Sequence, residues 1–459
     1  MIMAVTHFNF RALQSLLAMA IPMIVSQGAF AVMIFTDRYF LAQVSPAHMA
    51  AAMGGGVAWF FSFCLFSGIL AYANALVAQY LGAGETGKCG KVVVQGLILS
   101  VLCLPVLALV MLLMRNIFAL MDHTPQQVIL EKDYYDILMI SSFMLLVKTC
   151  LASFFSGIGR TRVVMVCEVL GIVVNIPLSY ALVFGYYGLP AMGIKGAAWG
   201  TVISSVFTVL VFAIYYLQRE NRLRFHLRTS LVFDRGITRR YLRLGFPSGL
   251  EMFLNVAAFN LFLLMFHSYG IAEAASATIT FNWDILSFVP LMGLNIAVMS
   301  LIGRAVGAGD MQKTDEVTAS GYLLGLGYSL VLATLFLLFR KSLVEMFIFQ
   351  EEDAEAIRTL TNFMMIGLSC YVLLEGILQV AAGVLRGAGD THWIMVTSVS
   401  LHWAMLVAQY FIIKVFGFGP KISWVAFVLM ILAIVALFVW RLHSQVWRDP
   451  ERLRAVMAE

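Results

Sequence analysis

The sequence predicts an all-α integral membrane protein of twelve transmembrane helices, arranged as two six-helix lobes related by a pseudo-twofold axis along the membrane normal. Three observations predict it: a composition too apolar for a soluble chain, twelve separate apolar runs of spanning length, and a repeat that maps the first six runs onto the second six. Of 459 residues, 61% are hydrophobic and 12% charged, against roughly 45–50% and 25% in soluble domains. So few charges leave no surface for solvating a disordered chain or neutralising nucleic-acid phosphates, and they nearly exclude a soluble enzyme.

About 20 helical residues cross the roughly 30 Å of bilayer hydrocarbon. Runs of that kind lie at 13–37, 52–78, 92–114, 135–156, 163–186 and 193–217, and again at 241–266, 274–300, 319–339, 360–383, 393–416 and 422–441. They are continuously apolar rather than alternating, which excludes a β-barrel. The first continues without a small-residue cleavage site, so it reads as a span rather than a removed leader. The one long polar connection divides the chain into an N-terminal lobe at 1–217, a basic linker at 218–240, a C-terminal lobe at 241–445 and a tail at 446–459. Six cysteines with no metal-type spacing read as small buried hydrophobes.

Basic residues set the orientation. Arg11, Lys88, Lys91, Arg160, Arg162, the linker arginines from Arg219 to Arg243, Arg304, Lys313, Arg386 and the C-terminal arginines fall on one side, roughly 20 residues against 8 on the other. Basic residues accumulate in the cytoplasm, which puts both termini there.

The repeat holds at an offset of 225. Leu17 to Pro22 answers Leu242 to Pro247, and Gly82-Ala83-Gly84-Glu85 answers Gly307-Ala308-Gly309-Asp310. With the offset drifted to 230, Gly157-Ile158-Gly159-Arg160-Thr161 answers Gly387-Ala388-Gly389-Asp390-Thr391. Six spans per half is an even number, so both halves enter the membrane from the same side and enclose a central cleft, the arrangement of an alternating-access transporter. The run from Gly82 to Lys88 has P-loop spacing, but Cys89 stands where Ser or Thr would meet magnesium and no strand precedes it. A turn between helices explains it better.

The costly residues are ionisable groups inside spans, which usually face a cavity or a partner: Asp37, Lys148 and Glu168, then Glu251, Asp284, Glu375 and His402. Glu168 can simply reach Arg160 or Arg162, Lys148 can be the structural partner of a carboxylate in its own lobe, and His402 can be a hydrogen-bonded helix contact. Asp37 is either a functional acid or an interfacial partner of Arg38.

The run Phe35-Thr36-Asp37-Arg38, Pro22 fifteen residues before Asp37, Ala78 to Glu85, Leu244-Gly245-Phe246-Pro247 and Ala381 to Asp390 together resemble the multidrug and toxic compound extrusion (MATE) family, over essentially the whole chain. The resemblance implies an antiporter, not an enzyme, that exports cationic and amphipathic compounds in exchange for H+ or Na+ across the bacterial cytoplasmic membrane. It implies no cofactor beyond the coupling ion, with small-molecule drugs and membrane lipids as partners, no nucleic acid, and a monomer. A lipid-linked oligosaccharide flippase of related two-lobe architecture is the alternative; it would favour a basic cleft, whereas the candidates here are acidic. A membrane-embedded enzyme ranks last, because the histidines are isolated.

Carried over residue by residue, the family's N-lobe acid falls on Asp37, with Asn175 and Thr201 as its polar neighbours. Ser179 stands where some members have a second aspartate. In the C-lobe, the NorM-like branch's acid and tyrosine match Glu375 and Tyr371, four residues apart on one helical face. That branch's other carboxylate falls on Asn255, with Glu251 one turn earlier, while Asp284 has no place in the pattern; a DinF-like assignment stays open. Sodium, if it is the coupling ion, would sit at Asp37 or Glu375. Pro22 removes a backbone hydrogen bond and is either the candidate conformational hinge or a static kink.

Overall fold

The computed structural model describes residues 8–120, 124–348 and 354–459. Twelve of its helices are long and apolar enough to cross a membrane: Phe10–Val44, Ala47–Gly82, Thr86–Phe118, Pro125–Gly157, Thr161–Phe184, Ile194–Tyr216, Arg235–His267, Ile271–Gly307, Met311–Glu345, Ala354–Gly387, Thr391–Val415 and Pro420–His443. No strand occurs among the described residues. Each span overlaps its predicted run, and most extend beyond it because a helix satisfies its own backbone wherever water thins out. Cap chemistry sets several starts. Ser45 caps His48 N ahead of Pro46, and Thr124 caps Gln127 N ahead of Pro125, the cap-then-proline order that suits a helix N-terminus. The third span is interrupted at Cys103, two residues before Pro105, which has no N–H to continue the ladder.

The repeat persists in backbone detail. Gly84, Gly159, Gly309 and Gly389 all have positive φ, from 70° to 89°. At each one the next residue's N–H reaches back five residues: Glu85 to Tyr80, Arg160 to Phe155, Asp310 to Ala305 and Asp390 to Leu385. This is the helix-terminating motif in which a left-handed residue, usually glycine, closes the last turn. It also disposes of the P-loop spacing: Gly84 ends a helix, and Lys88 pairs with Glu85 and Glu459 at 3.0 and 2.8 Å.

The chain forms two compact units, one comprising the residues up to Ile24 with Glu251–Met457, the other Val25–Leu250 with the last two residues. Ahead of its last two residues, the chain passes from one unit to the other twice, each time a few residues after a repeated proline, Pro22 or Pro247. The reason is packing. In the C-terminal unit Leu16, Met19 and Ala20 join the buried apolar core, and a Cβ on Gly293 would lie 2.6 Å from Ile24 N. In the N-terminal unit the equivalent Gly68 would meet Gly249 Cα at 2.7 Å, and Tyr241 donates to Leu70 O at 2.7 Å.

Each unit also clamps the turn after its fourth helix. In the N-terminal unit Arg160 bonds to Glu220 and Asn221 on the short helix Arg219–Arg224. In the C-terminal unit Asp390 accepts from Arg441 at 2.8 Å and from Arg452 on the short helix Pro450–Met457.

Candidate functional site

In the N-terminal unit, the fifth and sixth spans touch through small residues. A Cβ on Gly200 would lie 2.2 Å from Ser179 Oγ, and one on Gly171 2.3 Å from Thr208 Oγ1. That close crossing brings Asn175, Ser179 and Thr201 to one place, and the first span delivers Asp37 to it. Asp37 is 4% exposed, and its Oδ2 accepts from Thr201 Oγ1 at 3.0 Å. Asn175 donates to Ser204 Oγ at 3.3 Å, and Ser179 stands against the Asp37 carboxyl. Asp37 Oδ1, Asn175 Oδ1 and Ser179 Oγ are buried without a hydrogen-bond partner. Among the described residues Asp37 makes no ion pair with Arg38, so the interfacial reading of that dipeptide is not what the fold builds. The expected Asp37, Asn175 and Thr201 constellation is brought together, with Ser179 as its fourth member.

A carboxylate oxygen, an amide oxygen and a hydroxyl left unsatisfied in a buried spot are costly. A proton on Asp37, or a small cation among these oxygens, would relieve that cost. The donor set is all oxygen, which suits sodium chemically. Among the described residues no three acidic, histidine or cysteine side chains converge as a metal-binding group.

In the C-terminal unit, the ninth and tenth spans approach so closely that a Cβ on Gly376 would meet Gly325 O at 2.2 Å, and Gly376 N donates to Ser329 Oγ at 3.1 Å. This fixes the neighbouring Glu375. Tyr371 lies one turn away, its ring edge-on to Phe427 at 6.2 Å. The acid that faces Glu375 is Asp284 of the eighth span, the one without a place in the family pattern, and Tyr371 stands beside Asp284. Ser287 and Tyr328 border the group.

Glu251 does not share this position. Both its oxygens accept from Arg386 Nη2, at 3.0 and 2.9 Å, and His402 lies near it. Glu251 and Glu375, both candidates for one C-lobe site, are thus not brought together: Arg386, at the end of the tenth span, intercepts Glu251. Asn255 donates to Ser398 Oγ at 2.8 Å, and its Oδ1 is buried without a partner.

Of the remaining candidates, Lys148 and Glu168 form an ion pair at 3.0 Å, with side chains 15% and 12% exposed. Lys148 is the structural partner expected of it, while Glu168 turns to Lys148 rather than to Arg160 or Arg162. His402 Nδ1 lies 2.8 Å from Ser398 O, the helix contact expected. Of the cysteines, Cys370 is exposed and Cys103 half-buried, so not all are core residues.

Glu131 was missed. Hydropathy starts the fourth span at 135, yet the helix begins at Pro125 and buries Glu131, which accepts from Gln127 Nε2 at 3.0 Å. The Thr124-Pro125 cap was the signal for it.

Comparison with known proteins bears on both units. The MatE family model matches residues 22–181 and 247–411, two blocks that begin on the repeated prolines. Multidrug resistance protein PmpM of Pseudomonas aeruginosa is 28% identical over 402 residues, covering 86% of this chain and 82% of that protein. Multidrug resistance protein MdtK of Yersinia pseudotuberculosis is 26% identical, covering 94% and 95%. Among solved structures, the outward-facing conformation of a multidrug resistance MATE family transporter of the MOP superfamily superposes with a TM-score of 0.86 at 19% identity, over 98% of this chain and 97% of that one. A MOP superfamily transporter from Pyrococcus furiosus does so with a TM-score of 0.85 at 20% identity, covering 98% and 97%. At these identities the structural likeness speaks for the two-lobe, twelve-helix fold.

Proposed function

Because the chain belongs to the MatE family, whose members are multi-pass membrane transporters and not enzymes, we propose that it exports cationic and amphipathic compounds across the bacterial cytoplasmic membrane, in exchange for H+ or Na+, by alternating access. The multidrug names of its relatives support the substrate class. The observation that carries the exchange reading is Asp37, a buried carboxylate inside a span with one oxygen bound by Thr201 and the other unsatisfied.

A bare carboxylate in that setting is expensive, so the unit is most stable with the charge neutralised. A proton, a sodium ion or the cationic head of a drug each does this, and only one does it at a time. An empty, charged site resists the transition between inward-open and outward-open states, which turns competition into exchange rather than leak. Pro22 and Pro247, just ahead of the two crossings between units, weaken the backbone where bending is needed. Both termini and the basic linker are assigned to the cytoplasm, and the working unit is a monomer.

The test is drug uptake by everted membrane vesicles under an imposed pH gradient or an imposed sodium gradient. Uptake driven by one of the two identifies the coupling ion. Uptake indifferent to both refutes the exchange.

A further inference from the structure

We propose that Phe30 and the Lys148–Glu168 ion pair form a second attachment point for the first span, and that they act as positioning residues for Asp37. The inference rests on the reading that Asp37 is the coupling acid and adds what holds that acid in place.

The first span has little else to fix this stretch. Between Ser26 and Asp37, both buried, every residue from 27 to 36 is half-buried or exposed, and a Cβ on Gly28 would meet nothing within 4 Å. A helical stretch with so few buried contacts shifts easily. At one end Asp37 is bonded to Thr201 at 3.0 Å. Seven residues earlier the Phe30 ring covers the Lys148 ammonium, with Nζ 5.5 Å from the ring centroid. Seven residues are nearly two helical turns, so Phe30 and Asp37 share one face, about 10 Å apart along the axis.

The partner of Phe30 is itself fixed. Lys148 of the fourth span pairs with Glu168 of the fifth at 3.0 Å. Burying a salt bridge gains little stability over apolar residues of the same size, so stability alone gives no account of two charges inside spans. What the pair supplies is an ammonium fixed in direction, which attracts the face of an aromatic ring where an apolar side chain would let it slide. Glu168 lies seven residues before Asn175, as Phe30 lies seven before Asp37. Between Glu168 and Asn175, Gly171 is where the fifth span meets Thr208 of the sixth. The fifth and sixth spans therefore form one packed platform from the ion pair to Asn175 and Thr201, and the first span rests on it at Phe30 and at Asp37. Loss of the Phe30 contact leaves Asp37 held by Thr201 alone. A carboxylate displaced from the oxygens of Asn175 and Ser179 holds a cation less tightly, and one that gains water holds a proton less tightly.

The test is drug uptake by everted vesicles at increasing luminal concentration of whichever ion, H+ or Na+, drives it. Phe30→Leu keeps an apolar side chain and the ion pair but removes the ring, whereas Phe30→Tyr keeps the ring. Phe30→Leu is expected to raise the half-saturating ion concentration about fivefold, with the maximal rate within about twofold of wild type, and Phe30→Tyr to stay at the wild-type value. Replacing the pair by Lys148→Met together with Glu168→Leu should give the same rise, and adding Phe30→Leu to it no more, because each change breaks the same contact. Should Phe30→Leu fail to fold, Phe30→Met, equally without a ring, takes its place. An unchanged half-saturating concentration without the ring, or effects of ring and pair that multiply, would overturn the proposal and leave the pair only joining the fourth and fifth spans. Wild-type uptake indifferent to both ion gradients would refute the exchange reading and this inference with it.

Discussion

Arg160 and Asp390 occupy equivalent positions in the repeat, the residue after the positive-φ glycine of the same turn, and they carry opposite charges. Each is held by one residue of opposite charge on a short helix, Glu220 for Arg160 and Arg452 for Asp390. The reversed polarity means that Glu220 would meet a like charge at Asp390, and Arg452 one at Arg160, so each pairing residue suits its own turn.

The two clamps differ in burial, and their energetic worth should differ accordingly. Asp390 is 1% exposed and also holds the buried Arg441, so Asp390→Asn strands a charge and should cost about 3–5 kcal/mol. Arg160 and Glu220 are 32% and 61% exposed, and Arg160→Gln should cost at most about 1 kcal/mol. Denaturation of the two variants, with proteolysis of residues 450–457 as a local readout, checks the contrast. Equal costs would contradict it.

Glu251 and Arg386 should behave as a coupled pair, and Glu251 and Glu375 as independent sites. A double-mutant cycle on stability with Glu251→Gln and Arg386→Gln should give a coupling of roughly 0.5–3 kcal/mol. The effects of Glu251→Gln and Glu375→Gln on transport should multiply. Strong non-additivity between the two glutamates would restore the pairing that Arg386 displaces.

The linker carries a pH dependence. Asp234 accepts from Lys91 Nζ at 2.9 Å and from the backbone N–H groups of Gly236 and Ile237. The Lys91 hydrogen bond, followed by those backbone donors, holds its carboxyl below the usual carboxylate range. A group whose folded value is depressed stabilises above its unfolded value, about 4, and loses that contribution as pH falls toward the folded value. Limited proteolysis near Arg235 should therefore accelerate below about pH 4 in wild type, and Asp234→Asn should be already fast at pH 7. A variant as resistant as wild type at pH 7 would refute the anchoring role.

Orientation can be checked at the same place. Arg235 is exposed, so a cysteine there, in a Cys370→Ser background that removes the exposed native thiol, should react with an impermeant reagent in everted vesicles and not in intact cells. Labelling of intact cells would reverse the topology.

Much of this architecture was legible because hydropathy and internal repetition record which segments meet lipid and in what order. The twelve spans and the two-fold duplication emerge that way, while the grouping of Asp37 with Asn175 and Thr201 came from the family resemblance. What hydropathy cannot record is which face of a helix meets which neighbour. Glu251 was the expected companion of Glu375 and Asp284 had no place in the pattern, and only the packed structure shows Arg386 taking Glu251. Polarity marks the linker at 218–240, whereas the compact units change over just after Pro22 and Pro247. That pair of prolines was visible in the repeat. Glu131 was lost because hydropathy places the helix start ten residues after its true cap at Thr124-Pro125.

The most direct test of the account is Asp37→Asn. Asparagine keeps the size of the side chain and its bond to Thr201 while removing the negative charge and the ability to titrate, so it separates charge exchange from packing. With folding and insertion verified by a melting curve and by the Arg235 labelling pattern, gradient-driven drug export in everted vesicles should fall to background. Export at the wild-type rate under a measured ion gradient would contradict an N-terminal coupling site and transfer that role to Asp284 and Glu375.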